Sequence, residues 1–135
     1  MKKLLILGLV AIGFSSCSKE TLDSAGRDVA QNVIRSFEWT NVVKVEKVGG
    51  EEVLRDTIAA ESKGTYLDFD KDGFAYVFDG KGGSKSFSYD MPTSKSMNFD
   101  KVSYTIKENI IQSTIKFTLE NTNQTKTTTI EFKRK

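Results

Sequence analysis

Six residues near the middle of the chain, Asp68-Phe69-Asp70-Lys71-Asp72-Gly73, carry the spacing of a calcium loop. Calcium takes several hard oxygen ligands, which carboxylates at alternating positions supply, with a glycine to bend the chain sharply. A further carboxylate, Asp79, stands at the twelfth position counted from Asp68. Two features depart from that chemistry. The twelfth residue is a short Asp in place of a bidentate Glu, and the flanks Tyr66-Leu67 and Phe74–Phe78 read as strands. A tight hairpin explains the same Asp and Gly by backbone geometry, because Asp-Gly supplies the positive-φ position. The hairpin is the expectation here, with calcium at Asp68, Asp70, Asp72 and Asp79 as its alternative.

The second set of residues is aromatic. Nine Phe, four Tyr and one Trp are many rings for a chain of 135 residues. Trp39, Phe87, Tyr89 and Phe117 are the candidates to line an internal site for an apolar or stacking ligand. The competing explanation is a core that needs large side chains, since small barrels fill their interiors. Catalysis finds less to work with. There is no histidine and one cysteine, which removes Ser-His-Asp and Cys-His chemistry and the common zinc sites. Carboxylates are plentiful, but they fall at turns and on polar faces, and no glycine-rich phosphate loop or nucleophile elbow is present. A non-catalytic protein without a cofactor is expected. Once Lys2 and Lys3 are set aside, eighteen basic residues face eighteen acidic ones, a balance that argues against nucleic acid as a partner.

The elements that must position these residues follow from hydrophobic period. From Leu22 to Phe37, apolar residues recur at three- and four-residue steps (Leu22, Ala25, Val29, Ala30, Val33, Ile34, Phe37), which predicts one amphipathic helix. After Phe37 the period drops to two. Phe37, Trp39, Asn41, Val43 and Val45 form the expected inner face of a first strand that ends at Gly49-Gly50. Strands follow over 53–58, 66–69, 74–78, 85–90, 95–100, 102–107, 111–120 and 125–133, the last with its threonines outward. Breaks are expected at Met91-Pro92-Thr93-Ser94 and at Asn121–Asn123. Eight or nine short strands with short links predict an all-β domain, an antiparallel up-and-down barrel of about eight strands with a β-sandwich as the alternative.

The first seventeen residues carry an address. Lys2 and Lys3 precede eleven apolar residues, Leu4 to Phe14, too few to span a bilayer, which needs about 20. Ser15, Ser16 and Cys17 then form a small-residue cleavage site, so the stretch reads as a signal peptide. With that arrangement the segment resembles bacterial lipoprotein signal peptides. The resemblance implies cleavage after residue 16, lipidation of Cys17 (a palmitate-type anchor), and a mature chain held at a membrane. Ser18 in place of Asp implies sorting to the outer membrane, on the periplasmic face or at the cell surface. The expected organisation is a signal over 1–16, a lipidated tether and helix over 17–36, and the β-domain over 37–135.

Trp39 after a short helical lead-in, the Phe69–Phe74 hairpin and the run of meander strands together resemble the lipocalin-like domains of small bacterial lipoproteins. In that family a Gly stands two residues before the tryptophan, where this chain has Phe37, and a basic residue near the last strand packs over the ring. Lys133 or Arg134 is the residue in place for that role. The resemblance implies an eight-stranded barrel taking a small apolar ligand or a glycan fragment. The alternative is a structural or interaction subunit that docks another envelope protein on its outer strands.

Overall fold

The computed structural model describes residues 26–79, 84–110 and 115–135. Cys17, the signal segment, Leu22, Ala25, Gly80–Gly83 and the start of the strand expected from Ile111 lie outside them. A helix, α1, covers 26–36, and nine strands follow: β1 Trp39–Val48, β2 Glu51–Ala59, β3 Tyr66–Phe69, β4 Phe74–Phe78, β5 Ser84–Thr93, β6 Ser96–Phe99, β7 Val102–Ile106, β8 Lys116–Asn123 and β9 Lys126–Arg134. Every pairing is antiparallel, and each strand from β3 to β9 pairs with the next. The β1–β9 and β1–β3 pairings close the ring into an eight-stranded up-and-down barrel. The ninth strand, β2, is additional.

The place of β2 follows from the length of β1. One edge of β1 bonds to β9 along its whole length. The other edge is shared: Trp39 pairs with Leu67 of β3, while Val42–Val48 pair with β2. A 3-10 turn at Glu61–Lys63, ended by Gly64 in the left-handed region, carries the chain from β2 down into β3. The barrel is thus closed at the Trp39 end. At the other end β2 forms part of the wall, and its residues from Glu51 to Thr57 are all exposed.

The closed end is filled. Trp39 is fully buried and meets Phe117 edge-on at 4.8 Å, and Phe117 stacks on Phe132 at 4.4 Å. Phe69 sits among these rings, 4.9 Å from Tyr89 and 5.7 Å from Phe132. Such aromatic pairs contribute about 0.5–1.5 kcal/mol each beyond burial. The helix caps this plug with Ala30 and Ile34, both fully buried. The Trp39 indole N–H donates to the Ile34 carbonyl at 2.8 Å, so the one polar atom of the ring is satisfied by α1. Arg35 Nε donates to the Tyr89 hydroxyl at 2.7 Å, and that hydroxyl donates to the Asp70 carbonyl. The Arg134 guanidinium lies 4.7 Å from the Phe37 ring, and Phe37 meets Trp39 edge-on at 6.3 Å. Phe37 takes a place against the tryptophan that a glycine would leave open.

Four features differ from the pattern in the sequence. Asn41 is the most consequential. It sits at φ 47, in the left-handed region, and the β1–β9 register advances three residues on β1 from Thr40 to Val43 while β9 advances two from Lys133 to Glu131. This extra residue is a β-bulge, and it reverses the alternation beyond it. Val42 is therefore fully buried and Lys44 faces the interior, while Val43 and Val45 lie on the outer face beside Thr118 and Thr129. Pro92 does not break β5, which runs to Thr93; the ladder to β6 shifts register between Asp90 and Thr93, an irregularity that accommodates the missing donor. β8 continues through Asn123, and the turn falls at Gln124-Thr125 with Gln124 at φ 56. Thr128 points inward and is buried, because it alternates with Ile130 and Phe132.

The bulge yields a direct stability test. Asn41→Val and Asn41→Gly both lose the bond from the Glu61 amide to Asn41 Oδ1, so their difference isolates the backbone. In urea unfolding the valine variant is expected to be less stable than the glycine variant by about 1–2 kcal/mol, the left-handed penalty of a non-glycine residue. Equal stabilities would contradict the bulge.

Candidate functional site

Above the plug the interior opens. A cavity of about 320 Å³ lies in the barrel mouth, walled by β2 on one side and by β5, β6 and β7 on the other. Its floor and sides are apolar: Ile58, Phe87, Phe99, Val102, Tyr104 and Ile130. Phe87 and Phe99 stack at 5.2 Å with an interplanar angle of 26°, and Phe99 in turn meets Phe132 of the plug at 5.7 Å. Phe99 and Ile130 are each 1% exposed, so the floor is continuous with the core. Period-two alternation puts these side chains here, since each lies two residues from a plug residue on its own strand: Phe87 from Tyr89, Ile130 from Phe132, Tyr104 from Ile106.

The rest of the lining is charged. Lys44 and Asp56, cross-strand partners on β1 and β2, stand opposite Lys85 on β5 and Asp100 at the β6–β7 turn. Lys44 is inside only because of the Asn41 bulge. The Lys85 ammonium lies 5.9 Å from the Phe87 ring. One step further out, Glu46 pairs with Lys126 at 3.0 Å. Burial raises the Tyr104 phenol above its ordinary value, with Asp100 and Glu46 adding to the shift, so it stays protonated and able to donate at neutral pH. The mouth therefore offers apolar contact, one phenol and charges of both signs. Among the described residues it holds no nucleophile with an adjacent base.

The residues singled out in the sequence are divided by this geometry. Phe87 lines the cavity. Trp39, Tyr89 and Phe117 do not; they are 0%, 5% and 0% exposed within the plug, where they bond α1 or stack on each other. The site residues missed by the period-two reading are those downstream of the bulge (Lys44) and those on the extra strand (Asp56, Ile58). Aromatic content marked the interior but could not separate its packed half from its open half.

The four carboxylates of the calcium alternative do not gather. Asp70 and Asp72 belong to the hairpin between β3 and β4, where Asp70 Oδ1 accepts from the Lys71 amide at 2.7 Å and Asp72 Oδ1 from the Phe74 amide at 3.0 Å. Asp72 also accepts from the Tyr76 hydroxyl. Gly73 supplies the positive φ of 89°. Asp79 follows the far end of β4, a strand length away. Strands flank the loop, so it opens into a hairpin and cannot curl round an ion as helices let it. Among the described residues no group of three or more carboxylate, cysteine or histidine side chains is placed to hold a metal. Asp68 stands apart, half-buried on the outer face, with its pKa raised by burial first and then by Glu38 and Asp70.

No protein-family model, curated protein or solved structure gives a match to the chain.

Two measurements follow from this geometry. Millimolar Ca²⁺ is expected to leave the melting temperature unchanged, and a rise of several degrees would show an ion held at the hairpin. For Asp68 the sign is set by its raised pKa. Folding favours the protonated form, so the Asp68 contribution to stability is fully present below the ordinary carboxylate range and is lost as pH rises through the folded pKa. Asp68→Asn is expected to raise Tm near pH 7 and to leave it unchanged near about pH 3. A lower Tm at neutral pH would contradict the assignment.

Proposed function

We propose that this chain is a lipid-anchored, non-catalytic protein of the bacterial cell envelope that binds a small ligand in its barrel mouth. The carrying observation is the division of the interior into a packed aromatic half and a cavity of about 320 Å³. That volume sits at the small end of ligand sites, which run from about 300 to 1,000 Å³. Stacked Phe87 and Phe99 offer an apolar bed, and the Tyr104 hydroxyl and the charged rim offer polar contacts around it. A barrel built only for stability would fill this space, since cavities in cores cost stability.

The anchor is part of the proposal. Its support is the sequence from Lys2 to Cys17, with Ser18 favouring the outer membrane, periplasmic face or surface. An anchored barrel keeps its ligand near a membrane through Cys17 while the balanced charge of the remaining chain adds no steering of its own. The lack of histidine, and the absence of a nucleophile–base pair among the described residues of the mouth, support binding over catalysis.

A second reading has its own observation. On the outer face of β4, Phe74 and Phe78 are 42% and 38% exposed, with Tyr76 between them and Tyr66 stacked on Phe78 at 5.2 Å. Aromatic residues are enriched at protein interfaces, so this aromatic strip favours docking of an envelope protein on the outer strands.

The test is native mass spectrometry of the full chain purified from its own membrane. A co-purifying compound is expected with the unaltered chain and is expected to be lost in Val102→Trp, which fills the mouth from an exposed position. A bare mass for the unaltered chain would contradict the mouth reading.

A further inference from the structure

The mouth reading leaves the chemical class of the ligand open, and the charges of the rim narrow it. Lys44 and Lys85 bring two cations to the cavity, and Asp56 and Asp100 bring two anions. Among the described residues none of the four takes part in an ion pair, although six ion pairs form elsewhere on the protein. Lys44 and Asp56 are direct cross-strand partners, the placement in which opposite charges ordinarily meet, yet no bridge joins them. Both signs face the same cavity above the same apolar bed.

From this we infer that the mouth takes a small zwitterion with an apolar side chain, of the α-amino acid or short-peptide class. The inference rests on the mouth being the binding site. A simple anion with an apolar tail would satisfy the lysines and bring its carboxylate beside Asp56 and Asp100, with like charges unfavourable there. A simple amine meets the mirror problem at Lys44 and Lys85. A zwitterion gives each sign a partner, adds no net charge to a rim that sums to zero, and lays its side chain on Phe87 and Phe99. The Tyr104 hydroxyl, held protonated, is a further donor to a carboxylate. The bulge at Asn41 is what makes this chemistry available, because without it position 44 would face solvent and a valine would face the mouth.

The test is isothermal titration calorimetry on the full-length chain in nanodiscs with three probes that share one ring: L-phenylalanine, 3-phenylpropionate and 2-phenylethylamine. Phenylalanine is expected to bind about fivefold more tightly than either singly charged probe, the worth of one partly exposed charge contact. Lys44→Met is expected to erase its advantage over the amine, and Asp56→Asn its advantage over the carboxylate. Lys85→Met and Asp100→Asn, on the other side of the mouth, serve the same purpose if either of those variants fails to fold. If a singly charged probe binds as well as phenylalanine, or benzyl alcohol binds best of all, the zwitterion is overturned while the mouth remains a site. If no probe binds and the native chain carries no ligand, the inference and the mouth reading fall together.

Discussion

One extra residue in one strand decides what this barrel can do. Asn41 occupies a left-handed conformation that lets β1 carry one residue more than β9 between their shared pairs. Below it, β1 turns Trp39 into the barrel; above it, β1 turns Val42 and then Lys44 inward. A strand without the bulge would present Val43 and Val45 to the mouth and would send Lys44 to solvent. Asparagine suits the position because its short side chain tolerates the left-handed region, and its Oδ1 accepts from the amide of Glu61, the first residue of the 3-10 turn. The same contact steadies the point where one edge of β1 passes from β2 to β3.

The two halves of the interior differ in packing. In the closed half, Trp39, Phe69, Phe117 and Phe132 pack ring against ring under Ala30 and Ile34. Truncating a buried ring of this kind costs about 3–5 kcal/mol, comparable with much of a small domain's net stability. The surface ion pairs are worth about 0–1 kcal/mol each and cannot substitute for that. Packing in the plug therefore frees the mouth from a structural duty. Its charged side chains weigh little in the stability balance.

Much of this was legible from residue order. Asp-Gly at 72–73 and Gly-Gly at 49–50 mark turns by backbone chemistry, and β3 and β4 begin and end where the period-two pattern places them. The helical stripe through Ala30 and Ile34 likewise comes to rest on the core. What the pattern missed depends on distant partners. Nothing around Asn41 marks a bulge, because the valines that follow it, Val42, Val43 and Val45, fit either face of a strand. Pro92 looks like a break until the register shift against β6 absorbs it. Asn121–Asn123 look like a turn until β9 pairs with them. Trp39, Tyr89 and Phe117 look like ligand residues as readily as core, because aromatic content alone cannot tell a packed section of a barrel from an open one.

The face that Lys44 presents can be measured in solution. Lys44 and Ile130 are cross-strand partners on the inner face, with Ile130 1% exposed beneath the mouth. Isotope-edited NOE spectra are predicted to connect the Lys44 side chain with the Ile130 methyls, and to connect Val43 with the outward Glu131 side chain. Cross-peaks from Val43 or Val45 to the ring of Tyr104, with Lys44 exposed, would contradict the bulge and with it the charged mouth.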